Sequence, residues 1–135
     1  MKTSIKATAS LLLGMCAVVP MVALAEGEGA TPLRFRLSVG LQPQMGDTTN
    51  PYCYSNVITR PAPSGWRADS WVPGAAEKAH AIVDAFEADF LAKCQAASGR
   101  NIDGTFSAKL NQSPYEDNEL DTYEPRPGGT AVQVD

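Results

Sequence analysis

From Ala79 onward, Val83, Phe86, Phe90, Cys94 and Ala97 recur every three or four positions, with Ile82 beside them. That spacing puts them in one stripe along an α-helix. Glu77, Asp84, Glu87 and Gln95 fall away from the stripe, so residues 73–98 predict one amphipathic helix that must lie on an apolar surface. Pro73 suits the opening turn, where a missing N–H costs nothing. Glu77 suits the positive end of the helix dipole, and Gly99 is placed for a left-handed C-terminal cap. Arg100 follows with a charge that suits the negative end.

The surface for this helix is supplied by residues 33–41. Leu33, Phe35, Leu37, Val39 and Leu41 alternate with Arg34, Arg36, Ser38 and Gly40 without a break, the period of a half-buried strand. Residues 42–50, with Pro43, Gly46, Asp47 and Asn50, read as a turn or a wandering connection. Residues 52–59 read as a second strand of imperfect alternation. Residues 60–74 carry Pro61, Pro63, Gly65, Pro73 and Gly74 together with Trp66 and Trp71, and form no regular element. Residues 101–104 read as a turn and 105–110 as a strand turning Phe106, Ala108 and Leu110 to the core. Residues 111–124 read as a solvated acidic loop, and 130–134 as a closing strand or a loose tail. One helix and several alternating strands predict an α+β fold, with the long helix packed on a small, mainly antiparallel sheet; α/β would need repeated helix–strand units.

The N-terminus sets the compartment. Lys2 and Lys6 precede an apolar run over residues 11–24, interrupted by Pro20 and closed by Ala23-Leu24-Ala25, the pattern of a cleaved export signal. The run is shorter than the roughly 20 residues of a spanning helix. A lipid anchor would use Cys16, but Met15 occupies the position where lipoprotein cleavage favours a small residue. The expected organisation is therefore a signal peptide, residues 1–25, and a single α+β domain, residues 26–135. No second apolar run is long enough to span a bilayer, which predicts a periplasmic or secreted mature chain.

Removal of residues 1–25 leaves Cys53 and Cys94, and two cysteines in an exported chain pair as one disulfide. In the chain-entropy model such a closure contributes ~4 kcal/mol. A zinc site would need about four ligands, and the one histidine is His80; neither a metal nor another cofactor is expected.

Losing Lys2 and Lys6 takes the formal net charge from −4 to −6. Residues 26–72 are neutral, so the excess acid lies from Pro73 onward. An acidic chain with no lysine or arginine cluster is not built for nucleic acid, where phosphate neutralisation supplies most of the affinity.

Chemistry-bearing residues are few. His80 has Asp84 and Glu87 on its flank of the helix, where a carboxylate four positions on can orient an imidazole; the ordinary reading is an exposed histidine among acids. No nucleophile elbow accompanies it. The acids Glu116, Asp117, Glu119, Asp121 and Glu124 lack calcium-loop spacing. Asn111-Gln112-Ser113 matches a glycosylation sequon, followed unfavourably by Pro114. Trp66, Trp71, Arg60, Arg67 and Tyr54 are of the types enriched in binding hot spots, and form the candidate binding group, against the alternative that the tryptophans plug the core. The expectation is an exported, non-enzymatic protein-binding module of the bacterial envelope type: an inhibitor, an immunity protein or an assembly component. Its partner would be another exported or envelope protein. The alternatives are a small-ligand or glycan binder using the Trp/Tyr/Arg loop, and a small hydrolase using His80.

Overall fold

Strand β1 (Leu33–Leu41) alternates between buried and half-buried along its whole length, with all five apolar side chains at most 4% exposed. It is the centre of the sheet in a computed structural model that describes residues 31–67 and 73–135. The predicted export signal and the segment 26–30 lie outside the described residues.

One edge of β1 pairs antiparallel with β4 (Ile102–Leu110). The other takes two short strands in succession, β2 (Tyr52–Ser55) and β3 (Ile58–Arg60), both antiparallel. Residues 52–59 therefore read correctly as strand, but as two pieces. The break lies where the buried Ser55 hydroxyl accepts from Leu37 N–H at 2.9 Å and donates to the Asn56 carbonyl at 2.8 Å. Asn56 in turn clasps both backbone groups of Val134, at 2.7 and 3.0 Å. That clasp holds the C-terminus, so β5 (Gly129–Val132) is a true strand, paired parallel to β2. The sheet is thus mixed, with three antiparallel pairings and one parallel.

Opposite residues in a ladder share a face, and the registers sort the side chains accordingly. Val39 opposes Cys53, and Leu37 opposes Ala108, on the core face; Ser38 opposes Tyr54 and Ser107, and Arg36 opposes Lys109, on the second face. Gly40 sits where the β1–β4 register shifts, and a Cβ there would come within 3.0 Å of the Asp103 carbonyl.

The core face is covered by the predicted helix, but in two pieces, α1 (Ala75–Asp84) and α2 (Glu87–Ser98). The rod bends where Phe86 N–H bonds Val83 at 3.0 Å, three residues back instead of four. The Phe86 ring is held edge-on to Phe35 with centroids 5.5 Å apart. Ala79, Val83, Phe90 and Cys94 are buried as the stripe requires, with Ile82, Phe86 and also Leu91 packed against the cluster. Ala97, placed in the stripe by spacing, is exposed. The helix begins two residues after Pro73, behind Gly74 at φ 88°, and ends at Gly99 with φ 69° as expected. Cys53 and Cys94 are bonded, their Cα atoms 5.9 Å apart. The bridge ties the core face of β2 to α2 and closes a separation of 41 residues, an entropic stabilisation of ~4 kcal/mol.

The acidic segment 111–124 is not the loop that its charge suggests. It holds α3 (Pro114–Asp121), opened by Ser113 as a side-chain N-cap. Ser113 Oγ accepts from Glu116 N–H at 3.2 Å and donates to the Glu116 carboxylate at 3.1 Å. The acids spread along α3 reach cations on β1 and β4: Arg34 pairs with Asp117 and Asp121, and Lys109 with Glu119 at 2.7 Å. Leu120, 2% exposed, provides the apolar contact. So α3 lies on the second face of the sheet, opposite α1 and α2.

Candidate functional site

The five residues read from the sequence as a binding group do not converge. Trp66 packs against the core cluster and donates its indole N–H to Asn111 Oδ1 at 3.3 Å. Arg67, at φ 63°, places Nη1 3.6 Å from Asp117. Arg60 lies over the Phe86 ring, 4.8 Å from its centroid, at the bend between α1 and α2. Trp71 is outside the described residues. Tyr54 stands apart from the others, on the second face of the sheet.

Around Tyr54 the structure assembles a different group. Tyr52 and Tyr54, two apart on β2, stack with ring centroids 5.7 Å apart, and Tyr54 meets Tyr123 at 5.5 Å. The row is closed at each end by a guanidinium, Arg36 at 4.5 Å over Tyr123 and Arg126 at 4.0 Å over Tyr52. Two members, Tyr52 and Arg36, are fixed by hydrogen bonds to backbone. The Tyr52 hydroxyl donates to the Arg126 carbonyl at 3.0 Å and accepts from Arg126 N–H at 2.9 Å. Arg36 donates through Nη1 to the Ser55 carbonyl at 2.7 Å and through Nη2 to the Leu120 carbonyl at 3.1 Å, in the last turn of α3. Gly129 gives the row its space: a Cβ there would fall 2.7 Å from the Tyr52 ring and 3.0 Å from that of Tyr54.

Three adjoining cavities line this face. The first, about 370 Å³, lies between Arg36, Lys109, Glu119, Leu120 and Tyr123. It shares Ser38 with a second of about 360 Å³, which runs past Tyr52, Asp103 and Arg126. Arg126 also borders the third, about 500 Å³, against residues 43–50. Arg100 braces that loop, gripping Asp47 at 2.7 and 2.9 Å, so the connection read as a turn or a wandering stretch is a turn, tied down by Arg100.

The charges divide into engaged and unengaged. Hydrogen bonding to Arg34 holds the Asp121 carboxyl below its usual range, Arg100 does the same for Asp47, and Lys109 for Glu119. Burial of its hydroxyl end, then the Tyr52 hydroxyl, pushes the Tyr123 phenol up to about 12, although the residue is 38% exposed. Tyr123 is therefore a neutral ring at physiological pH. Asn111, the sequon asparagine, is fully buried: it accepts from Arg34 N–H at 2.8 Å and donates to the Pro32 carbonyl at 2.9 Å. His80 lies on the exposed side of α1. Among the described residues no group of three or more histidines, cysteines or acids is placed to hold a metal ion.

Part of this site was visible in the sequence. Alternation set Arg36 off the core, and Tyr52 and Tyr54 two apart on one face. Nothing local brings Tyr123 or Arg126 to them, because those contacts depend on α3 crossing the second face and on β5 pairing with β2. No family, curated protein or solved structure matches the chain.

Proposed function

We propose that the protein is exported, loses residues 1–25, and acts without catalysis by binding another exported or envelope protein through the second face of its sheet. The observation that carries this reading is the row Arg36–Tyr123–Tyr54–Tyr52–Arg126 on that face. Tyrosine and arginine dominate binding hot spots because they combine large apolar area with directional donors at little entropic cost. Here strands carry Arg36, Tyr52 and Tyr54, and backbone hydrogen bonds hold the Arg36 and Tyr52 side chains, which lowers the cost of ordering on association. The Cys53–Cys94 bridge supports an oxidising compartment. Among the described residues no helix is long and apolar enough to cross a membrane.

The test is capture from an exported-protein fraction with wild-type protein, with Tyr54→Ala plus Tyr123→Ala, and with Trp66→Phe as a core control. One partner retained by the wild type and the Trp66 variant, and lost by the tyrosine variant while its circular dichroism is unchanged, is the expected result. Equal retention by the tyrosine variant would refute the assignment of the face.

A further inference from the structure

We infer that the partner segment received by this face is an acidic stretch of polypeptide, whose carboxylates meet Arg36 and Arg126. This rests on reading the second face as the recognition surface. The arginines of the domain fall into two groups. Arg34, Arg67 and Arg100 each lie within 3.6 Å of a carboxylate. Among the described residues Arg36, Arg60 and Arg126 have no such partner; Arg60 lies over the Phe86 ring at the helix bend, away from this face, whereas Arg36 and Arg126 are each matched to a tyrosine ring of the row, and Arg36 to two neutral carbonyls. Both line the cavities of the face.

A guanidinium has five donors, and Arg36 uses two, leaving its Nε enclosed and unpartnered. A half-buried cation met only by dipoles has a larger electrostatic gain available from an incoming anion than one already paired. The acids nearby do not cancel this. Glu119 and Asp47 are held by Lys109 and Arg100, which leaves Asp103 as the unpaired carboxylate among the described lining residues. Ser38 and Ser107 share one hydrogen bond at 3.1 Å, so the pair keeps one hydroxyl proton to donate. The face therefore offers a serine hydroxyl and two cations without carboxylate partners. That combination selects acceptors carrying charge.

The experiment follows the Arg36 and Arg126 Nε–H resonances of the oxidised protein in two titrations. One uses the peptide acetyl-Glu-Gly-Glu-Gly-Glu-amide, and the other its glutamine counterpart. The acidic peptide is expected to shift both resonances and to bind at least tenfold tighter than the neutral one, the scale of one charged hydrogen bond. Arg126→Gln, a change on an exposed segment, should weaken the acidic peptide about tenfold with the spectrum otherwise retained. Equal binding of the two peptides, no shift at either arginine, or an unaffected Arg126 variant would overturn the proposal. Binding of a polyuronate where the acidic peptide gives none would overturn polypeptide as the source. Failure of the peptides with the partner still lost in the Tyr54/Tyr123 variant would remove this inference and leave the face standing. Peptide binding with partner capture unchanged in the Tyr54/Tyr123 variant would remove the face as the partner's surface, and with it the assignment of the acidic segment to that partner.

Discussion

The indole N–H of Trp66 donates to Oδ1 of Asn111, 45 residues away, and that same oxygen accepts the backbone N–H of Arg34. The contact makes Trp66 part of the framework. It joins the proline-rich turn, the start of β1 and the approach to α3 through one buried amide.

Asn111→Ala should destabilise the domain by about 2–3 kcal/mol, because it leaves the Trp66 and Arg34 donors and the Pro32 carbonyl without their partner. Urea denaturation monitored by far-UV circular dichroism measures it. For the same reason of burial, Asn111 should carry no glycan when the folded domain is exposed to a glycosylating extract, by intact mass.

Gly129→Ala tests whether the tyrosine row depends on an absent side chain. A Cβ lies 2.7 Å from the Tyr52 ring, so the ring must move or β5 must lift, at a cost of about 1–3 kcal/mol. A fall in melting temperature of several degrees is expected, with altered Tyr52 ring resonances. An unchanged melt and spectrum would mean that the row is looser than the distances imply.

Loss of the Ser113 cap should weaken α3 without touching the core. Ser113→Ala removes the hydroxyl that accepts Glu116 N–H, worth ~1 kcal/mol. Hydrogen exchange should accelerate over residues 114–121 and remain slow in β1.

Much of the framework was legible because it depends on periodicity and covalent chemistry. The unbroken alternation of residues 33–41 leaves no other face to bury, and the stripe through Val83, Phe90 and Cys94 has one solution. Cys53 and Cys94, the two cysteines of residues 26–135, can make one bridge. The segment 111–124 differs from its loop reading because capping outweighs acidic composition there. Ser113-Pro114-Tyr115-Glu116 is an S-x-x-E capping signature with proline at the first helical position, and it is open to reading. The tyrosine row is not, since Tyr54 and Tyr123 meet through tertiary contacts that no short window contains.

Stability should decline at high pH through Tyr123. Its phenol is raised to about 12 in the folded protein from an ordinary 10.0, so the native state holds the proton more tightly. The contribution is complete below pH 10 and is lost between pH 10 and 12. Tyr123→Phe should flatten that part of a urea-midpoint profile.

At low pH the sign reverses. Asp121 and Glu119 have carboxyls lowered from 3.8 and 4.5 by Arg34 and Lys109. The stabilisation they give is present above those values and disappears as the pH falls through the lower folded ones. Arg34→Gln should shrink the acid-side slope, while high salt should reduce it in the wild type.

Hydrogen–deuterium exchange on the isolated complex reads directly which surface of the domain the proposed partner covers. Slowed exchange concentrated in residues 52–55 and 119–126, with the turn around Trp66 unaffected, is the predicted result. Protection confined to the segment 60–67 and the exposed side of α1, with the tyrosine row exchanging as in the free protein, would contradict it.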